Sequence, residues 1–279
     1  MNAVIRTLTP AEAEQAVDWA AAEGWNPGLV DLDCFLAQDP GLFLGAFQGD
    51  ALVSVISATR YDPDFGFIGF YIARPEARGH GHGIAIWRAA MRQLSGRLIG
   101  LDGVVAQQPN YRKSGFQLAW NNIRFGGEAP VLPAPRAHIV PAVSLPFAAL
   151  ESLDRQVFPA ERPDFLRAWL GAPGHIALAL VQDGAAAGFG VIRPCRSGHK
   201  IAPLVAPDEA AAEALLAALL ERAGPGEIFW DVPEPHAAAV ALATRLGLKP
   251  VFETARMYTG AAPPVAMDRL FGITTFELG

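Results

Sequence analysis

The order of strand-like and helix-like segments before residue 129 recurs, more faintly, after residue 136. Between the two runs lies the stretch Ala129-Pro130-Val131-Leu132-Pro133-Ala134-Pro135. Proline removes backbone donors and stiffens the chain, so this composition suits a linker. The pattern predicts an α/β fold built as two tandem units with mixed β-sheets flanked by helices: residues 1–128, a linker over 129–136, and residues 137–279. Each unit is then about 120–140 residues long, an ordinary domain size. In the first unit, strands are expected at Ala3–Thr9, Leu42–Gln48, Leu52–Thr59, Phe65–Ile72, Leu98–Ala106 and Phe116–Phe125. Helices are expected at Pro10–Gly24, capped by Thr9, at Leu29–Leu36 and at Ile84–Leu94, with a short turn at Tyr111–Ser114 closed by Gly115. The second unit repeats this with helices at Phe147–Phe158, Asp164–Leu170, Glu209–Ala223 and Ala237–Leu246. Its strands fall at Ile176–Gln182, Ala187–Arg193, Lys200–Val205, Glu227–Val232 and Pro250–Tyr258. The turn Asp183-Gly184 takes the place of Gly49-Asp50 between two strands of each unit.

Composition narrows the function classes. The formal charge is −6, which argues against a nucleic-acid partner, because binding a phosphate backbone needs clustered Lys and Arg. The apolar stretch Ala137–Leu150 is short and broken by Pro141 and Pro146, so no membrane span is expected. Arg6, Glu12, Glu14 and Asp18 do not fit a secretory leader. Cys34 and Cys195 lie far apart and read as free thiols, which together with the rest predicts a cytoplasmic protein.

The strongest local signal is Phe70-Tyr71-Ile72-Ala73-Arg74-Pro75-Glu76-Ala77-Arg78-Gly79-His80-Gly81-His82-Gly83-Ile84, an apolar strand leading through a glycine-rich loop into a helix. Glycines allow sharp turns and leave no side chain between peptide N–H groups and a ligand. The helix start adds free donors and the positive end of a dipole, so the loop suits a pyrophosphate. Arg74, Arg78, Arg88, Arg92 and Arg97 against Glu76 alone make this stretch basic within an acidic chain. The loop follows the third apolar strand of the pattern, where a dinucleotide fingerprint would follow the first. A nucleoside-triphosphate loop would continue with Lys and Ser/Thr, and Ile84-Ala85 stands there instead. His80 and His82 have no carboxylate or cysteine cluster beside them, so no metal is expected.

Arg78-Gly79-His80-Gly81-His82-Gly83 resembles the Arg/Gln-x-x-Gly-x-Gly/Ala loop of the GCN5-related N-acetyltransferases. Tyr111-Arg112-Lys113-Ser114-Gly115-Phe116 is similar to that family's Tyr-x-x-x-Gly-Phe. The strand, two helices and hairpin before the loop also match, and the resemblance covers residues 3–127. Glu23-Gly24-Trp25-Asn26-Pro27-Gly28 and the ending Phe271-Gly272-Ile273-Thr274-Thr275-Phe276-Glu277-Leu278-Gly279 look like the bacterial branch that carries a second, degenerate acetyltransferase-like domain. The chain departs from the family at position 104, where Val104 stands in place of a cofactor-binding asparagine, and Pro109-Asn110 shortens the following helix.

The resemblance implies an acyltransferase that moves an acetyl or other acyl group from acetyl-CoA to a small-molecule amine by direct attack. Arg78, Gly79, His80, Gly81, His82, Gly83 and Ile84 would cradle the pyrophosphate, and the peptide groups of Phe70, Tyr71 and Ile72 would pair with the pantetheine arm. Tyr111 would protonate the leaving thiolate. Trp25 and Asn26, between the first two helices, would shape the acceptor site. Something must also accept the amine's proton, directly or through water; Asp102 is one candidate on the residues alone, against a solvated or turn-capping role before Gly103, and Glu23 is a weaker one. A non-catalytic sensor of acyl-CoA or of a metabolite is the alternative. The second unit is expected to have lost acyl-CoA binding. Pro207-Asp208-Glu209-Ala210-Ala211-Ala212-Glu213 stands where the loop should be, and Ala243 falls opposite Tyr111. It would serve instead as a wall or lid for the acceptor, with residues 266–279 returning toward the first unit.

Overall fold

The computed structural model describes residues 3–135 and 137–279. The first run of elements is β1 (Val4–Thr7), α1 (Pro10–Ala22), α2 (Asp31–Gln38), β2 (Phe43–Gln48), β3 (Ala51–Arg60), β4 (Phe65–Ala73), α3 (His82–Gln93), β5 (Leu98–Val104), α4 (Gln108–Lys113) and β6 (Gln117–Glu128). The second is β7 (His138–Pro141), α5 (Phe147–Val157), α6 (Pro163–Gly171), β8 (Ile176–Gln182), β9 (Ala185–Pro194), β10 (His199–Val205), α7 (Glu209–Ala223), β11 (Glu227–Pro233), α8 (Ala237–Arg245), β12 (Lys249–Tyr258) and β13 (Leu270–Gly272). β7 and β13 are the strands the periodicity did not indicate.

Local chemistry sets the boundaries. Thr9 Oγ1 accepts from the Glu12 amide at 3.3 Å, and the Glu12 carboxylate accepts from the Thr9 amide at 2.8 Å. This capping box, with Pro10 in the first turn, starts α1. In α3 the buried residues His82, Ile86, Trp87 and Ala90 recur at helical spacing, so one face packs on the sheet. β3 is buried at every position between its two end residues, as a strand covered on both faces must be.

The sheet runs β1-β2-β3-β4-β5-β12-β6-β11-β10-β9-β8-β7, with β13 attached to β10. The order is nearly symmetric about its middle, and the two units have exchanged their last long strands. β12 lies against β5 of the first run, with Asp102 opposite Arg256. β6 lies against β11 of the second, with Arg124 opposite Asp231. The expected sheets of the two units are thereby hydrogen-bonded into one path.

Three buried ion pairs cross between the two runs. Asp31 pairs with Arg193 at 2.8 Å, Arg124 with Asp231 at 2.6 Å, and Asp102 with Arg256 at 2.6 Å. Desolvation offsets much of the attraction in such a pair, but removing one partner leaves a bare buried charge. The pairs therefore fix how the runs meet more than they add net stability. Apolar packing is also shared: Phe35 and Trp169 stack with centroids 6.4 Å apart within one cluster that also holds Phe70 and Phe276. No helix among the described residues is long and apolar enough to cross a membrane.

Candidate active site

The site begins at an irregularity in β4. Val55 pairs with Ile72 and Ser57 with Gly69, so Phe70 and Tyr71 together oppose Ile56 alone. Phe70 takes a φ of +48°, a costly conformation for a bulky side chain. A bulge of this kind bends the strand and leaves a residue without a ladder partner. Its neighbour on the other side, β5, pairs in parallel only from Phe65↔Leu98 to Ile68↔Leu101. Beyond that point β4 and β5 diverge around a cavity of about 640 Å³.

The cavity joins the elements that the sequence singled out. Its lining includes Phe70, Tyr71 and Ile72 from β4, Arg78, Gly79, Gly81, Gly83 and Ile84 from the loop, and Asp102 and Tyr111 from the far side. Gly79 and Gly81 have φ of +80° and +82°, and a Cβ built on either would meet nothing within 4 Å. They serve backbone conformation and openness rather than packing. Gly81 is the residue before α3, and no side chain caps that helix. α1 is capped by Thr9 and α7 by Asp208, whose Oδ1 accepts from the Ala211 amide at 2.8 Å. The start of α3 thus offers donors and the positive dipole end to an anion. Arg78 reaches Glu23 at 2.7 Å, both half-exposed and both on the cavity wall.

Tyr111 packs against Trp87 with ring centroids 5.6 Å apart. Gly103 makes room for it, since a Cβ there would lie 2.2 Å from Tyr111 Cε2. Burial, with the neighbouring Tyr71 phenol, pushes the Tyr111 hydroxyl up to about 12. It is therefore protonated, the form a general acid needs. Burial raises the other three tyrosines as well: Tyr61, Tyr71 and Tyr258. A group raised in the folded state supports that state fully below its unfolded pKa, about 10 for tyrosine. That support is lost as the pH rises past 10 and through the folded value. An ultraviolet titration of the folded protein should accordingly show tyrosinate appearing later than the pH of about 10 at which a free phenol is half-ionised. A full phenolate signal near pH 10 with the fold intact would contradict the burial described.

Other expected residues stand differently. Trp25 lines the cavity, 6.5 Å from the Phe70 ring. Asn26 is turned away to the second unit: its Nδ2 donates to the Ser197 carbonyl and its Oδ1 accepts from the Ser197 amide, both at 2.9 Å. It anchors the loop rather than facing an acceptor. Asp102 lines the cavity, but its oxygens are occupied by Arg256 Nε at 2.8 Å, Arg256 Nη2 at 2.6 Å and Asn122 Nδ2 at 2.8 Å. The guanidinium, bound at both carboxylate oxygens, stays charged, so a proton taken by Asp102 would have to compete with that ion pair. The side chains of His80 and His82 do not line the main cavity. His82 is buried at the start of α3, and His80 faces a smaller neighbouring hollow with Gln48, Arg74 and Glu76. Among the described residues no His, Cys, Asp and Glu cluster could hold a metal.

The remaining walls come from the second unit. Phe252 and Thr254 of β12 and Phe276 and Glu277 of the terminal segment line the cavity. In the second unit itself, β10 and β11 pair only from His199↔Ile228 to Ile201↔Trp230. The space beyond is filled by the chain's own β13: Leu204 pairs with Gly272, and the Ile273 amide donates to the Asp231 carbonyl at 3.0 Å.

A family profile described as the acetyltransferase (GNAT) family matches residues 7–116, and a second described as an acetyltransferase (GNAT) domain matches residues 150–272. The chain belongs to the GCN5-related N-acetyltransferase family, with a second acetyltransferase-like domain. This acetyltransferase-family chain is 28% identical over 279 residues to holothin acyltransferase from Pseudoalteromonas sp. (strain SANK 73390), covering 98% of this chain and 94% of that one. A solved Pyrococcus horikoshii protein assigned as an acetyltransferase superposes with a TM-score of 0.84 at 22% identity, over 100% of this chain and 96% of its own. A tandem protein of the family from the clavulanic acid biosynthesis pathway gives 0.64 at 16% identity, over 93% of this chain and 99% of its own. The protein is an acyltransferase.

Proposed function

We propose that the protein moves an acetyl group from acetyl-CoA to the amine of a small molecule by direct attack on the thioester. The observation that carries this reading is the single cavity that connects the uncapped start of α3 with Tyr111 through the gap between β4 and β5. The residues fit the donor. The open, left-handed Gly79 and Gly81 suit a pyrophosphate against the backbone, and the bulged β4 edge suits an extended arm that pairs as a strand would. Backbone N–H groups near Tyr71 and Ile72 would polarise the thioester carbonyl, and Tyr111 would protonate the departing sulfur.

A small acceptor suits the far end, which Trp25, Phe252 and Phe276 wall with aromatic rings. The cavity volume lies in the range typical of small-molecule sites. The relative named for holothin agrees with an acceptor of that kind. Holding two substrates in one gap would supply much of the rate. The test is a panel of primary amines assayed for release of the CoA thiol from acetyl-CoA. Amine-dependent release with matching acetylated product is expected; acetyl-CoA binding without release by any amine would overturn the transfer reading.

A further inference from the structure

Glu277 is the one carboxylate at the cavity that nothing above employs. It sits on the chain's last segment, which leaves β13 and runs into the first unit. Several contacts hold that segment. Tyr61 Oη donates to the Leu278 carbonyl at 2.6 Å, Arg162 Nη1 donates to the Gly279 carbonyl at 3.3 Å, and the Leu278 amide donates to Thr275 Oγ1 at 2.9 Å. Gly69 of β4 lets it come close, since a Cβ at that position would lie 2.1 Å from the Glu277 carbonyl oxygen. Glu277 is thereby pressed against the residue just before the Phe70–Tyr71 bulge, where the thioester carbonyl would lie.

The residue is 4% exposed, lines the cavity, and leaves Oε1 buried without a hydrogen-bond partner among the described residues. A buried carboxylate oxygen left unpartnered is costly, and a catalytic role is one explanation for such a group beside a cavity. The charged groups around it bond mainly to other partners, although Arg193 Nη1 is itself left without one among the described residues. Lys200 from β10 donates to the Asn26 carbonyl at 2.9 Å, Arg193 from β9 binds Asp31 of α2, and Arg124 from β6 binds Asp231 of β11. These three cations and three carboxylates, counting Glu277, balance, so an ionised Glu277 is compensated without being capped. Of the other cavity carboxylates, Asp102 is held at both oxygens by Arg256, and Glu23 is half-exposed in a pair with Arg78.

We propose that Glu277 is the catalytic base, a carboxylate delivered to the first unit's cavity by the end of the second, which accepts the proton of the attacking amine. This rests on the acetyl-transfer reading above. The neutral amine nitrogen bonds to the thioester carbon and the carbon–sulfur bond breaks. Glu277 takes the N–H proton, Tyr111 gives its phenolic proton to the sulfur, and exchange with solvent then returns one proton from Glu277 to Tyr111. Amine and acetyl-CoA thus become amide and free CoA thiol with no other reactant. Burial pushes the Glu277 carboxyl above the usual range, against the pull of Lys200 and Arg124. A base works only when ionised, so kcat should fall as the pH drops through that raised value.

Glu277→Gln keeps the shape and removes the charge. Using phenethylamine and the best amine of the panel as probes, we expect acetyl-CoA affinity within about twofold of the parent, which also reports on folding. We expect kcat lower by about 10²–10³-fold, within the usual range for a general base, and the acidic limb of the kcat profile should vanish. Glu277→Asp, which keeps the base on a shorter stem, should restore part of the rate together with the limb. A parent that turns over while Glu277→Gln stays within threefold of it, acidic limb retained, overturns this assignment and leaves the transfer reading standing. A parent that turns over no amine overturns both.

Discussion

Gly81→Val is expected to abolish acetyl-CoA binding, with at least a 10²-fold loss of affinity in a calorimetric titration, while the protein stays folded. The physical cause is conformational. Gly81 holds a φ of +82°, and a Cβ there would touch nothing in the protein. A β-branched residue avoids this region at a cost of about 1–3 kcal/mol, which a domain can bear but a loop relieves by turning its peptide groups. Once turned, the N–H groups at the start of α3 no longer converge on one anion. Gly83 differs, because a Cβ there would meet Tyr71 Oη at 2.9 Å, the end of a side chain that can move. Gly81→Val binding acetyl-CoA as tightly as the parent would remove the loop from the site.

Tyr111→Phe is expected to leave acetyl-CoA affinity unchanged and to lower kcat by about 10²–10⁴-fold, the usual contribution of general acid catalysis. Only the hydroxyl is lost. The ring's packing on Trp87 and over Gly103 is kept, so the site should not collapse. Because burial holds the phenol near 12, the parent should show no loss of rate from Tyr111 ionisation anywhere between pH 6 and about 10. Single-turnover measurements would isolate chemistry from product release. An unchanged single-turnover rate in Tyr111→Phe would exclude Tyr111 as the acid.

Both residues could be proposed from the sequence because their signals are local. A glycine loop between an apolar strand and a helix declares a close backbone approach, and Tyr111 stands at a fixed distance from Gly115-Phe116. The element order was legible for a similar reason: strand and helix periods are properties of short windows. Strand pairing is not. Nothing in Phe116–Phe125 or Pro250–Tyr258 says that β6 joins the second unit's β11 or that β12 slots against β5, because a strand's partners are chosen by long-range packing. The bulge at Phe70 was hidden too, since a phenylalanine is the last residue expected at positive φ. Asp102 and Asn26 misled because both are polar residues at apt positions, and only tertiary structure reveals that Arg256 and Ser197 already occupy them. Glu277 was passed over, although a lone carboxylate in the otherwise uncharged run Phe271–Gly279 was a visible signal that the segment does more than pack.

The exchange of β6 and β12 gives the duplication a physical reason to persist. The first unit supplies the glycine loop and Tyr111; the second supplies Phe252, Thr254, Phe276 and Glu277 to the same cavity. Its own equivalent gap is closed by β13, and its corresponding helix start is capped by Asp208 and carries Glu209, which pairs with Arg245 at the surface. A filled gap and carboxylates at the helix start both oppose a pyrophosphate. Calorimetric titration of the intact chain with acetyl-CoA therefore tests the account most directly. One site per chain, absent in Gly81→Val, is the predicted result. Two sites of comparable affinity, or one that survives Gly81→Val, would contradict it.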